Sequence, residues 1–144
     1  MGLFDALGIS SSGLTAERLR MDVTAENLAN AQSVGYRRKD VVVRESSSGD
    51  GFGSVLAGAM GSGSGSAAGS GVQVEQVTQD NSPGKRIYDP GNPAADAQGY
   101  VRMPNVNPVT EMVDLIDASR AYESNVTAMQ AAKQMFTKTL DLLR

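Results

Sequence analysis

Apolar residues recur at helical spacing at both ends of this chain, with short alternating runs between. From about Asp5 to Val34, Leu7, Leu14, Met21 and Leu28 stand one heptad apart, and Ile9, Ala16 and Val23 form a second line at the same interval. At about 100° per residue the two lines point in nearly opposite directions, so this helix is expected to meet neighbours on two sides. Ser10, Ser11, Ser12 and Gly13 are weak helix formers, which predicts a start that stays frayed until the helix is packed. A second helix is predicted from Asn107 to Arg144. Asn107 supplies a cap, Pro108 fits the first helical position, and Glu111 and Asp114 place negative charge near the positive end. Leu115, Ala118, Tyr122, Asn125, Met129, Ala132, Phe136, Thr139 and Leu143 recur at alternating spacings of three and four, the seam of a coiled coil. Such a helix is roughly 55 Å long, more than a domain of this size covers with its own core, so the seam calls for a partner.

Between the helices, Val41, Val42 and Val43 mark a strand from Lys39 to Arg44. Val72, Val74 and Val77 suggest another, Ile87-Tyr88 a short one, and Tyr100 to Met103 a further one, all bounded by Pro or Gly. Residues 46–71 are mostly Gly, Ser and Ala and read as a flexible loop. The expected organisation is α+β. An amino-terminal helix with its closing motif spans 1–36, a small β-containing region spans 37–106, and the carboxy-terminal helix spans 107–144. The two terminal helices are expected to pair antiparallel as a coiled-coil-like unit.

Composition narrows the function more than the fold. With 16 Gly, 5% aromatic residues and no Trp among 144 residues, the core should be small. A net charge of −3 argues against a nucleic-acid surface, and no apolar run is long enough to enter and cross a bilayer. Zero Cys and zero His remove thiol and imidazole catalysis and the ordinary zinc sites, so no catalytic, cofactor or metal residue is assigned. The glycine tract lacks the strand before and helix after that a phosphate loop needs. Asp89, Asn92 and Asp96 do not have the spacing of a calcium loop and are better read as turn residues. No aromatic sugar platform accompanies the acids, as a glycosidase would need. Asn125-Val126-Thr127 matches a glycosylation acceptor but falls in mid-helix. At the start of the chain a basic region and a small-residue cleavage site are lacking, and Ala6 stands where a myristoylation signal wants Ser or Thr, so if the protein leaves the cytoplasm it is expected to do so uncleaved.

The most distinctive run is Asn27-Leu28-Ala29-Asn30-Ala31-Gln32-Ser33-Val34-Gly35-Tyr36-Arg37-Arg38. Asn27 and Asn30 share one helix face, where buried amides fix register. Gly35 suits the left-handed residue that closes a helix, after which Tyr36, Arg37 and Arg38 are expected to turn outward. This run, with Asn-x-Ala-Asn followed by Gly-Tyr, resembles the signature of the axial rod and hook proteins of the bacterial flagellum. Ser33 stands where Thr is usual. The stretch from Tyr88 to Pro108, continuing into Glu111-Met112-Val113 and Ser119 to Asn125, is similar to the proximal-rod type in particular.

The resemblance implies a structural subunit of the flagellar basal body, in the periplasmic drive shaft that carries torque towards the hook. Its implied partners are further copies of itself, other proximal and distal rod proteins, the junction of the rod with the export apparatus, and the type III export apparatus. The residues assigned to assembly are Leu14, Leu19, Met21, Val23, Asn27, Leu28, Asn30, Gly35 and Tyr36 near the amino-terminal end. Leu115, Tyr122, Asn125, Met129, Ala132, Phe136 and Leu143 complete the set on the last helix. The alternative is a small secreted binding module with a private helical hairpin. An enzyme acting through carboxylates alone is a weaker third reading.

Overall fold

A computed structural model describes residues 3–46 and 71–142. The elements run α1 (Leu3–Ala29), β1 (Lys39–Glu45), β2 (Val72–Gln79), β3 (Arg86–Tyr88), β4 (Tyr100–Arg102) and α2 (Pro108–Leu142). Two long helices and two small antiparallel sheets make the chain α+β, as the hydrophobic pattern predicts. Most of the Gly/Ser tract, residues 47–70, and Leu143 lie outside the described residues.

Helix α1 runs unbroken through Ser10 to Gly13, the stretch expected to need packing before it orders. The hydroxyls bond carbonyls of their own helix: Ser12 Oγ donates to Ile9 O at 2.8 Å and Thr15 Oγ1 to Ser11 O at 3.1 Å. Small residues also admit neighbours. A Cβ on Gly13 would lie 3.1 Å from Asn125 Nδ2 of α2, and the Val72 amide donates to Ser12 Oγ at 3.1 Å. Tertiary contact thus offsets weak propensity at the point where propensity is weakest.

The helix ends at Ala29, six residues before Gly35. Gly35, with φ +83°, does not close it. Tyr36 N donates to Ser33 O at 3.1 Å, so Gly35 occupies the third position of a separate turn, where a left-handed residue is required. That turn aims the chain into β1.

Strands β1 and β2 pair antiparallel from Lys39↔Gln79 to Glu45↔Val72, with Glu75 bulged out opposite Val42 and Val43. The sheet packs on α1 and buries Val41. Ser46 N donates to Gly71 O at 3.0 Å beyond the last pair, and a Cβ on Gly71, φ +73°, would collide with Ser12 Oγ. Strands β3 and β4 form a second, separate pair. In the connection between them, Asn92 Oδ1 accepts from Ala94 N at 3.0 Å and Asp96 Oδ1 from Gln98 N at 3.0 Å, the turn chemistry read from the sequence.

Helix α2, about 50 Å long, lies along α1. Asn107 caps it: Asn107 Oδ1 accepts from Val109 N at 3.1 Å. The two helices meet through small residues, with Ala16 and Val23 of α1 and Ala118 and Ala132 of α2 all buried. Gly13 meets Asn125 and Asn27 meets Glu111, so the contacts run in opposite order along the two helices.

Candidate functional site

Among the described residues, the buried polar centre of the chain is built around Glu111, in the first turn of α2 and 1% exposed. An acid there complements the helix dipole, but a buried carboxylate also needs explicit partners. Glu111 Oε1 accepts from Arg38 Nε at 2.6 Å, and Oε2 from Asn27 Nδ2 at 3.1 Å. Arg38 also reaches Asp114 at 3.6 Å and Asp40 at 3.8 Å. The bond from Arg38 to Glu111 holds the guanidinium pKa above its ordinary value, which keeps Arg38 a cationic donor.

Asn27 is the hub of this centre, also 1% exposed. Its Nδ2 donates to Lys39 O at 2.8 Å, and its Oδ1 accepts from Lys39 N at 2.9 Å and from Tyr36 Oη at 2.9 Å. One side-chain amide therefore satisfies both backbone groups of Lys39 on the open edge of β1, as a neighbouring strand would. Burial and the nearby Glu26 carboxylate raise the Tyr36 pKa, which keeps the phenol a donor. Lys39 Nζ pairs with Glu26, and that hydrogen bond raises the lysine pKa.

The network extends into the connection before α2. Arg38 N donates to Asn105 Oδ1 at 2.9 Å, Asn105 Nδ2 to Asp80 O at 3.3 Å, and Asp80 N to Arg38 O at 2.8 Å. Hydrogen bonds from Ser82 hold the Asp80 carboxyl below the usual carboxylate range. This latch thereby ties together the end of α1, the start of β1, the end of β2 and the start of α2. Such an arrangement positions elements; it offers no reacting group.

Asn27 and Tyr36 come together here, while Asn30 turns aside: its Nδ2 donates to Glu26 O at 2.9 Å and its Oδ1 accepts from Ser33 Oγ at 3.2 Å. The expected outward turn of Tyr36 to Arg38 holds for the exposed Arg37 alone, because buried Asn27 draws the Tyr36 hydroxyl inward and buried Glu111 draws Arg38. Val23 and Ala132 are buried, and Leu14, Leu19, Met21 and Leu28 are half-buried. Half-buried too are Leu115, Tyr122, Asn125 and Met129, whereas Gly35 and Phe136 are exposed.

The opposite face of α2 was not singled out by the seam. Val109, Met112, Val113 and Ile116 stand at i, i+3, i+4 and i+7, one helix face, and are 46–65% exposed. Beyond Ile116 the same face turns polar, with Arg120, Glu123 and Thr127 exposed. The i, i+3, i+4, i+7 spacing was present in the sequence and could have revealed this stripe.

Family comparisons agree with the signature runs at both ends. Residues 7–37 match the model described as flagella basal body rod protein, and residues 97–142 match that of the flagellar basal body rod FlgEFG protein C-terminal region. The chain is 47% identical to the flagellar basal-body rod protein FlgC of Bacillus subtilis over 152 residues, covering 99% of each. It is 42% identical to that of Escherichia coli O6:H1 over 148 residues, covering 99% of this chain and 98% of the other. The FlgC protein of Borreliella burgdorferi is 39% identical over 155 residues, with 100% of this chain and 99% of the relative covered. With likeness of this extent running from one end to the other, the chain belongs to the FlgC-type flagellar basal-body rod proteins, structural subunits rather than enzymes.

Proposed function

We propose that this subunit polymerises with its own copies and with other rod proteins to form the proximal part of the periplasmic drive shaft, which transmits motor torque towards the hook. The carrying observation is the exposed apolar stripe Val109, Met112, Val113 and Ile116, on the face of α2 away from the buried Glu111 and Ala118. A stripe of this kind on a helix already packed along its other side supports the burial of that face by a neighbouring subunit. The two terminal helices act as an antiparallel coiled-coil-like unit, a reading supported by the opposite order of the Gly13–Asn125 and Asn27–Glu111 contacts. Within it the three segments 1–36, 37–106 and 107–144 serve as axial helix, small β region and second axial helix. The buried Val23, Asn27 and Ala132 hold the subunit in shape, and the half-buried seam residues flank the surface offered to neighbours. Torque is resisted by many small terms, each buried methylene contributing about 0.8 kcal/mol. Delivery through the flagellar type III apparatus without cleavage completes the reading.

Electron cryotomography of a strain lacking this gene, and of the same strain complemented, tests the proposal. The expected result is loss of rod and hook above an intact membrane ring, reversed by complementation. Complete, rotating flagella in the deletion strain would overturn it.

A further inference from the structure

The β3–β4 hairpin is stiff, yet it packs against no other helix or strand among the described residues. The Tyr88 and Tyr100 rings meet edge to face with centroids 5.3 Å apart, and the Arg86 guanidinium sits 4.8 Å from the Tyr100 centroid. Asp96 Oδ2 accepts from Arg86 Nη2 at 3.0 Å, while Asp96 Oδ1 accepts from Tyr100 N at 2.9 Å. Gly99, with φ +79°, passes beneath Tyr88, where a Cβ would lie 2.9 Å from Cε2. All this order fixes apolar surface that stays in solvent: Ile87 is 42%, Tyr88 64% and Tyr100 38% exposed. Rigid, exposed tyrosines lose little entropy when they dock, which makes them effective interface anchors. The strands that carry them are edged by the exposed cations Lys85 and Arg102, beside Arg86 in its pair with Asp96.

A surface of the complementary kind lies elsewhere on the same chain. Between α1, β1 and α2 is a cleft of about 490 Å³. Of its cations, Arg38 is shared by Glu111, Asp114 and Asp40 and Lys39 is engaged by Glu26, which leaves Glu17 and Asp117 in excess over Arg20. Glu17 is incompletely satisfied: its Oε1 is 3.7 Å from Arg20, and its buried Oε2 has no hydrogen-bond partner. A buried carboxylate oxygen in that condition is costly unless a donor arrives.

We propose that the β3–β4 hairpin of one copy docks in the α1–β1–α2 cleft of the next copy, setting its aromatic strip and basic edge against Glu17 and Asp117. The assignment rests on the rod-subunit reading and names one contact within it. Because hairpin and cleft are different surfaces, the contact is head-to-tail. Each bound copy leaves a free hairpin at one end and a free cleft at the other, and a rotation that does not close generates a helix.

The chain has no cysteine, so introduced thiols report alone. Asp89→Cys, which keeps Tyr88, and Ala121→Cys in the cleft are placed in one full-length chain in the complemented deletion strain. Mild oxidation is expected to give a ladder of dimers, trimers and larger species. The same two substitutions on separate co-expressed chains should stop at dimers. Tyr88→Ala should lower the yield about tenfold, as should Arg102→Glu, and adding Asp117→Arg to Arg102→Glu should restore it to within about twofold. Monomer alone in a strain whose rod is assembled would overturn the docking and leave the rod reading standing. Equal yield with Thr127→Cys in place of Ala121→Cys, dimers from Asp89→Cys alone, or failure of the charge exchange would also overturn it. Complete flagella in the uncomplemented strain would instead remove the rod reading itself.

Discussion

The two faces of α2 solve different problems with different chemistry. Its inner face is short on bulk: Ala118 and Ala132 let α1 approach closely, and specificity comes from the buried Glu111 and its bonds to Arg38 and Asn27. On the outer face the first two turns are apolar and exposed, with no charge among Val109, Met112, Val113 and Ile116. The inner face thus fixes one arrangement of the subunit, because a buried ion pair tolerates little displacement. The outer face leaves apolar area whose burial by a complementary surface would be favourable. A polymer subunit needs both a defined shape and unspent apolar area.

Removing either side of that contrast should have a distinct signature. The largest effect on the free subunit is expected from Glu111→Ala, which strips Arg38 and Asn27 of their shared acceptor. It should cost about 3 kcal/mol, near the low end for a broken buried pair because Arg38 keeps some access to water. Urea unfolding of the purified chain measures it. Asn27→Leu should cost about 2 kcal/mol in the same experiment, since it orphans the Lys39 backbone edge and the Tyr36 hydroxyl. Tyr36→Phe deletes one hydrogen bond and should cost about 1 kcal/mol. On the outer face the signature reverses: Ile116→Asp should leave stability within about 0.5 kcal/mol of the parent. Its incorporation into isolated basal bodies should nonetheless fall by at least tenfold, read by quantitative immunoblot.

A smaller effect, away from both faces, is the acid response of the β3–β4 hairpin. The Tyr100 amide is the main group holding the Asp96 carboxyl below the usual carboxylate range. A depressed folded-state pKa contributes stability that is full above the unfolded value and is lost as pH falls through the folded value. Tyr100 and Gln98 amide resonances should therefore move together below about pH 4, and Asp96→Asn should abolish that step.

The starts of α2 and β1 were legible because local signals dominate there. Pro108 and the Asn107 cap announced α2, and Val41 to Val43 announced β1. The latch was not legible, because its partners are far apart in sequence. Arg38 and Glu111 are 73 residues apart and Asn27 and Glu111 are 84 apart. Locally, Glu111 reads as an acid at a helix start and Arg38 as part of a solvated basic cluster. At Ser10 to Gly13 weak propensity signalled a dependence on packing, but not the partners, which are Asn125 and the edge of β2. Gly35 was rightly singled out as a left-handed residue, yet a short turn between Ala29 and β1 uses it, which spacing alone does not reveal.

The most direct test of the contrast is thiol protection on the outer face. Met112→Cys gives the chain a single thiol on the exposed stripe. Its rate of maleimide labelling is measured in the purified subunit and in isolated basal bodies. A rate at least tenfold lower in the basal body, with the thiol freely reactive in the subunit, is the predicted result. Equal rates in the two states would mean that the outer face stays in water in the finished rod, and would contradict the account.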